Sequence, residues 1–308
     1  MSFDRRVIVE GAGHPVKLRF GPHGTDILLS LMVDLVRWFE RRDRVLVVGI
    51  LNATPDSFFE GSRFPSASEA VERALQMEAE GADVIDVGGE SSRPGSEPVP
   101  ADVESARVVP IIEGIRKRSD VLVSVDTVKS AVAGEALAAG ATIVNDISAL
   151  RLDAAMAGTV AAANAYVVLM HMQGTPATMQ KKPEYKDVVD EVHEFLAGRI
   201  RAAECAGIPR ERVIIDPGIG FGKRLSHNLA LLRNVERFTD LGPPVLVGAS
   251  RKSFLGEILD LPAEDRLEGT LAVHAVAVAR GADLIRVHDV KEGRRTADVA
   301  RRLRPHAD

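Results

Sequence analysis

The chain has 308 residues, of which 45% are hydrophobic and 27% charged, and its formal net charge is -5. This composition describes a soluble globular protein with enough chain to bury a sizeable core. It argues against a general nucleic-acid or membrane-surface binder, which would carry a basic face.

A single cysteine, Cys205, excludes an intrachain disulfide. With no basic-then-apolar leader at the N-terminus, that favours a reducing cytoplasm. Apolar stretches such as 27–33 are too short to span a bilayer. No run of His, Cys and carboxylates has structural-zinc spacing.

Residues 1–44 read as an extension. VIVEG (7–11) and VKLRFG (16–21) suit a small hairpin. The stretch 25–42 reads as an amphipathic helix with Leu28, Leu31, Leu35 and Trp38 on its apolar side. Such a stripe is expected to cap the floor of the following domain or to pack on a partner subunit.

From residue 45 onward, eight short apolar runs follow: 45–50, 84–88, 121–126, 142–146, 166–171, 213–216, 244–250 and 284–289. Nearly continuous apolar runs of this length fit parallel strands covered on both faces. Helical patterns alternate with them. Over 66–80, Ser66 and Glu69 form a capping-box pattern ahead of Val71, Ala74 and Leu75. Over 184–204, Tyr185, Val188, Val192, Phe195, Leu196 and Ile200 keep the 3.6-residue period. EGADVIDVGGE (80–90), AGATIVNDIS (139–148) and RGADLIRVHD (280–289) repeat one unit: a helix ending at glycine, then a strand. Eight such units over 45–308 predict a (β/α)8 barrel, with a doubly wound sheet as the alternative.

In a barrel of this kind the chemistry lies at the carboxyl ends of the strands. Those positions hold Asn52, Glu90 with SSRPG after it, Asp126, Asn145, His171, Asp216, Ser250 with Arg251 and Lys252, and Arg286 with His288. A lone aspartate there is often only a helix cap. The set Asp126, Asn145, Asp216 and Lys252, however, offers acceptors, an amide and a cation from four strands, which suits a flat heterocycle rich in hydrogen-bonding atoms. Ser92, Arg93, Arg286 and His288, with Asn52 as a neutral oxygen ligand, suit a diphosphate with Mg2+.

VIIDPGIGFGKR (213–224) resembles a phosphate loop but fails both templates. The P-loop pattern needs Gly and Ser/Thr where Pro217 and Arg224 stand, and the dinucleotide pattern needs Gly where Lys223 stands.

GILNATPDSF (49–58), DVGGESSRPG (86–95), SVDT (124–127), VNDIS (144–148), DPGIGFGK (216–223), GASRKSF (248–254) and RVHD (286–289) together resemble the dihydropteroate synthase family, in order along nearly the whole barrel. The resemblance implies a transferase that condenses 6-hydroxymethyl-7,8-dihydropterin diphosphate with p-aminobenzoate and releases pyrophosphate. It assigns Asp126, Asn145, Asp216 and Lys252 to the pterin, and Asn52, Ser92, Arg286 and His288 to the diphosphate, Asn52 also serving Mg2+. It sets Arg93, Pro94, Phe221 and Ser250 beside p-aminobenzoate, and it implies a homodimer. Lys252, Arg286, His288 and Arg93 are the expected catalytic side chains. Loops 54–64 and 91–98, rich in Gly, Pro and Ser, read as movable lids.

Two rivals share parts of this pattern: a pterin-binding methyltransferase domain and a non-catalytic pterin-binding paralogue. The first has no reason to keep SSRPG, GASRKSF and RVHD, and the second should have lost Lys252, Arg286 or Arg93. Asp86, inside a strand, reads as support for the barrel mouth. Cys205 reads as helix packing, and His171 is undecided.

Overall fold

Why the eight apolar runs close on one another is visible from their parity. In a computed structural model describing residues 6–11, 14–19, 35, 38, 41–53, 66–93 and 95–304, they form one parallel sheet. Its strands are β3 (Leu46–Asn52), β4 (Val84–Gly88), β5 (Leu122–Asp126), β6 (Ile143–Asp146), β7 (Tyr166–Met170), β8 (Val213–Asp216), β9 (Leu246–Val247) and β10 (Leu284–Val287). The spatial order is β8-β7-β6-β5-β4-β3-β10-β9. The last seam is closed by a parallel bridge from Ile215 to Val245, and Ile215 N donates to Pro244 O at 2.9 Å. This is the expected (β/α)8 barrel. Ahead of it, β1 (Arg6–Gly11) and β2 (His14–Arg19) pair antiparallel.

Odd-even alternation sorts the side chains. Val47, Ile85, Val123, Val144, Val167, Ile215, Val247 and Ile285 join the apolar layer shared with the surrounding helices. Leu46, Val84, Ile143, Tyr166, Ile214 and Leu284 point the other way and fill the lower barrel together with Leu35 and Trp38. Leu35 and Trp38, the described members of the 25–42 stripe, therefore pack into the barrel floor. Leu28 and Leu31 lie outside the described residues. Trp38 Nε1 donates to Arg44 O at 2.8 Å, which satisfies the buried indole.

The glycine-ended units repeat a second device. Asp83 Oδ2 accepts from Val47 N at 2.8 Å, and Asp283 Oδ2 from Val245 N at 3.1 Å. Each aspartate ties the start of its strand to the neighbouring strand. Thr142 fills the same place in the third unit and bonds Val123 O through its own N at 2.9 Å.

Ser66 caps α1 (Ala67–Ala79), its Oγ accepting from Glu69 N at 3.3 Å. The helix expected over 184–204 begins later, as Val188–Cys205, because Asp187 caps it, accepting from Val189 N and Asp190 N. Tyr185 lies before that cap and turns its hydroxyl to Gly222 O at 2.8 Å. Cys205 closes the helix on an exposed face, so its expected packing role is corrected.

The strand expected over 244–250 shrinks to Leu246–Val247. Side chains take the flanking backbone donors: Asp283 takes Val245 N, and His274 Nε2 accepts from Ala249 N at 3.2 Å.

Candidate active site

All eight strands run the same way, so their carboxyl ends open on one mouth. Asp126 ends β5, Asn145 lies in β6 and Asp216 ends β8, while Lys252 follows β9. Asn145 and Asp216 are buried, and Asp126 and Lys252 half-buried. Gly88 keeps room among them. A Cβ there would stand 3.6 Å from Asp126 Cβ and 3.7 Å from Asn52 Oδ1.

Beneath the mouth lies a polar layer that strand parity also dictates. Asp86 on β4 accepts from Asn145 Nδ2 at 3.0 Å and from Arg286 Nε at 2.6 Å, both on Oδ2. Arg286 Nη2 donates onward to Asp126 Oδ2 at 2.8 Å. Arg286 was expected among the diphosphate ligands. The structure sets it between the two groups, bonded to one proposed pterin reader and to the carboxylate that holds another. Burial opposes its charge, yet Asp86 and Asp126 push the guanidinium above its ordinary value. Burial likewise pushes the Asp126 carboxyl up, and Arg286 pulls it back.

His288 directly follows β10. Burial first, and Arg286 second, push its imidazole down to about 3, so it is neutral near pH 7. It is a hydrogen-bonding group and not a cation. Its Nδ1 lies 2.9 Å from Ser250 Oγ, and its backbone N–H donates to the same oxygen at 3.2 Å. Ser250 is thereby grouped with His288. One residue further along each motif, Arg251 donates to both oxygens of Asp289 at 2.8 and 2.7 Å. GASRKSF and RVHD are thus two rails joined by two rungs.

The glycine-rich segment folds against this wall. Asp216 Oδ1 accepts from Gly218 N at 2.7 Å, an Asx turn that starts the loop. Lys252 Nζ donates to Ile219 O and stands 4.6 Å from the centre of the Phe221 ring. Burial lowers Lys252 to about 8, with Asp216 acting in the opposite direction. Burial raises Asp216, and Lys252 is the largest influence against it.

Sequence reasoning gave Lys223 no role beyond excluding nucleotide-loop templates. It is buried, with Nζ 3.0 Å from His171 Nδ1, 3.0 Å from Phe221 O and 3.4 Å from His171 O. Two carbonyl oxygens and a ring nitrogen thus surround its amine, and burial pushes its pKa well below the ordinary lysine value. His171 meets the Gly-rich loop through Lys223. Burial, then Lys223, pushes its imidazole down to about 2. A lysine closing a Gly-rich run was the one available signal.

Residues 91–93 and 95–98 border the mouth. Ser92 is half-buried and Arg93 exposed. Ser96 Oγ donates to Arg93 O at 2.9 Å, and Gly95 N reaches Pro176 O at 3.3 Å. Glu90 anchors the loop's far end, accepting from Val99 N at 2.8 Å. A cavity of about 310 Å³ runs between this loop and the strands, bordered by Ser92, Asp126, Thr127, Ile147 and Pro176. Pro94 and the 54–64 loop lie outside the described residues. No group of three or more His, Cys, Asp or Glu converges on a metal position among the described residues.

Comparison with known proteins agrees with this geometry. The family of pterin binding enzymes matches residues 48–288. The dihydropteroate synthase of Escherichia coli strain K12 is 47% identical over 246 residues, spanning 80% of this chain and 87% of its own. The solved dihydropteroate synthase of Yersinia pestis, in a sulfonamide drug complex, superposes with a TM-score of 0.82 at 36% identity, covering 96% of this chain and 98% of that one. That of Xanthomonas albilineans, in complex with 7,8-dihydropteroate, gives 0.76 at 42% identity over 85% and 94%. With the motifs in order, the barrel closed and its polar mouth assembled, the chain belongs to the dihydropteroate synthases, transferases of the pterin binding enzyme family.

Proposed function

We propose that this mouth condenses 6-hydroxymethyl-7,8-dihydropterin diphosphate with p-aminobenzoate to give 7,8-dihydropteroate and pyrophosphate, with the following division of labour. Asp126, Asn145, Asp216 and Lys252 read the pterin ring. The carboxylates accept its N–H groups, Lys252 donates to a ring acceptor, and the amide of Asn145 meets mixed atoms. Ser92, Arg286 and His288 bind the diphosphate, His288 as a neutral donor. Arg93, Pro94, Phe221 and Ser250 border the p-aminobenzoate. The observation that carries the reading is Arg286 bonded to Asp126 beside the Ser250–His288 pair, which joins a ring-reading group to an anion-binding one.

Asn52 fits Mg2+ as one neutral oxygen at the end of β3, with open space kept beside it by Gly88. Mg2+ bound by few protein ligands relies on substrate phosphates and water. When bound, it would neutralise charge developing on the leaving diphosphate. The methylene C–O bond breaks toward the diphosphate, the aryl amine forms the new C–N bond, and its surplus proton leaves to solvent. An aryl amine is already nucleophilic, so no strong base is required of the chain. The catalytic part falls to Lys252, Arg286, His288 and Arg93, fixed dipoles and charges around the reacting carbon and its leaving group.

A homodimer is part of the proposal. Ile258, Leu259, Leu261, Val276, Val299 and Leu303 expose apolar side chains on or beside the last helices, which suits a subunit contact. The single exposed cysteine supports a cytoplasmic setting. Among the described residues no helix is long and apolar enough to cross a membrane.

The test is a pyrophosphate-release assay. Release should require both substrates and Mg2+. Release from the pterin diphosphate alone, or none with both, overturns the reading and favours hydrolysis or a binding-only paralogue.

A further inference from the structure

We propose that Asp86 is a positioning residue that divides Arg286 between the two halves of the site, orienting it toward Asp126 and tempering its hold on the diphosphate. The inference rests on the assignment of Arg286 to the diphosphate made above.

Asp86 is 1% exposed and lies one layer below the mouth, so it touches no substrate. Through a single oxygen it holds Arg286 at 2.6 Å and Asn145 at 3.0 Å, one member of each proposed group. That bond fixes which end of the Asn145 amide faces away from it. Arg286 in turn reaches Asp126 at 2.8 Å. One guanidinium is therefore shared by two carboxylates. A diphosphate arriving at Arg286 meets a cation already compensated, which keeps released pyrophosphate from staying bound. Binding substrate and product equally tightly would not raise turnover, and slow release would lower it.

If Asp86 loses its charge, Arg286 has one carboxylate left. Its attraction for an anion rises, and it draws on Asp126 more strongly at the expense of the pterin N–H groups. The two affinities then move in opposite directions, which a loss of packing alone does not produce. Asp86→Asn keeps an acceptor oxygen for Arg286 and Asn145. It replaces the buried, unpartnered Oδ1 by an N–H group beside Ser124, whose Oγ is also buried and unpartnered.

The experiment is titration calorimetry on the full chain with pyrophosphate plus Mg2+, and separately with a hydroxymethylpterin lacking diphosphate. It compares wild type, Asp86→Asn and Asp86→Ser, with thermal melting of each. In both variants the expected result is pyrophosphate binding at least about threefold tighter and pterin binding at least about threefold weaker, with turnover reduced and stronger inhibition by pyrophosphate. Affinities that are unchanged, that shift in the same direction, or that reverse these signs overturn the proposal. So does loss of fold in both variants, which would make Asp86 a core residue. Wild type that binds pterin but not pyrophosphate overturns the diphosphate assignment beneath it, a result visible without any variant.

Discussion

Gly218→Ala tests how the fold makes the site. Gly218 follows the Asx turn of Asp216 at a φ of +70°, and a Cβ there would stand 1.9 Å from His171 O. An L side chain in this region costs about 1–2 kcal/mol. The steric overlap adds to that, because the loop must retreat by roughly 1.5 Å to reach ordinary contact. Backbone on both sides resists the move: His171 N donates to Asp216 O at 2.9 Å, and Phe221 N to Gly218 O at 3.1 Å. The retreat breaks the Gly218 N bond to Asp216 Oδ1, a charge-assisted contact of about 1.5–3 kcal/mol. The expected stability loss is about 3–5 kcal/mol, which the protein can survive with a lowered Tm. Turnover should fall further than stability suggests, because Asp216 and Phe221 shift together. A 1 Å misplacement can cost about 100-fold. Melting curves and pyrophosphate release at saturating substrates measure the two effects. A variant with wild-type Tm and turnover within about twofold would refute the reasoning, since the loop would then have room that the geometry denies it.

Lys252 predicts an alkaline limb: kcat/KM should fall as pH rises through about 8, where its ammonium is lost. Because its folded pKa lies below the unfolded 10.5, the unfolded chain holds more protons between those values, and this group adds stability as pH rises there. Lys252→Arg should abolish the limb, and a limb unchanged in that variant assigns it elsewhere. Arg93→Ala should leave binding of a pterin lacking diphosphate within about twofold while turnover falls on the order of 100-fold; near-full turnover at saturation would remove Arg93 from the mechanism. Trp38→Ala should cost about 3–5 kcal/mol by opening a void in the barrel floor, leaving KM for both substrates little changed; a denaturation midpoint equal to wild type would show that the floor does not depend on it.

What the sequence made legible follows a physical rule. Parallel strands covered on both faces read as apolar runs, and the polar residue that ends each run is where the strand meets the mouth. Asn52, Asp126 and Asp216, which end β3, β5 and β8, are legible for that reason, and Asn145 stands one residue before the end of β6. Asp86 carries the same chemistry but lies within β4, so nothing local distinguishes a hub from a supporting carboxylate until Arg286, 200 positions away, is placed beside it. His288 misleads in the opposite direction. An imidazole two residues from an arginine reads as potentially cationic, whereas burial first, and that arginine second, favour its neutral form. Lys223 and His171 are 52 positions apart and meet only because β7 and β8 are neighbours. The strand over 244–250 was overread because Asp283 and His274, both distant in sequence, take its backbone donors.

The polar layer explains how the site can hold several buried charges on a rigid wall without a strong base. Arg286 is 19% exposed and its two carboxylate partners are 1% and 13% exposed, so the trio is mostly withdrawn from water. A buried pair broken on one side leaves an uncompensated charge, a loss of about 3–5 kcal/mol. Such a loss holds the trio to one geometry through a catalytic cycle. Groups fixed in this way need little reorganisation when negative charge moves onto the departing diphosphate, which is where electrostatic catalysis gains most. The same rigidity limits what the layer can do alone. Asp86, Asp126 and Arg286 stand on strands, and the second substrate must arrive over them, so closure falls to groups that are not on strands. In the proposed division of labour, Arg93 on its loop and Phe221 on the Gly-rich turn are those groups. On that proposal the chain separates a fixed wall that would read the ring from loops that would complete the site, with the glycines of 218–222 serving the second task and Asp216 the first.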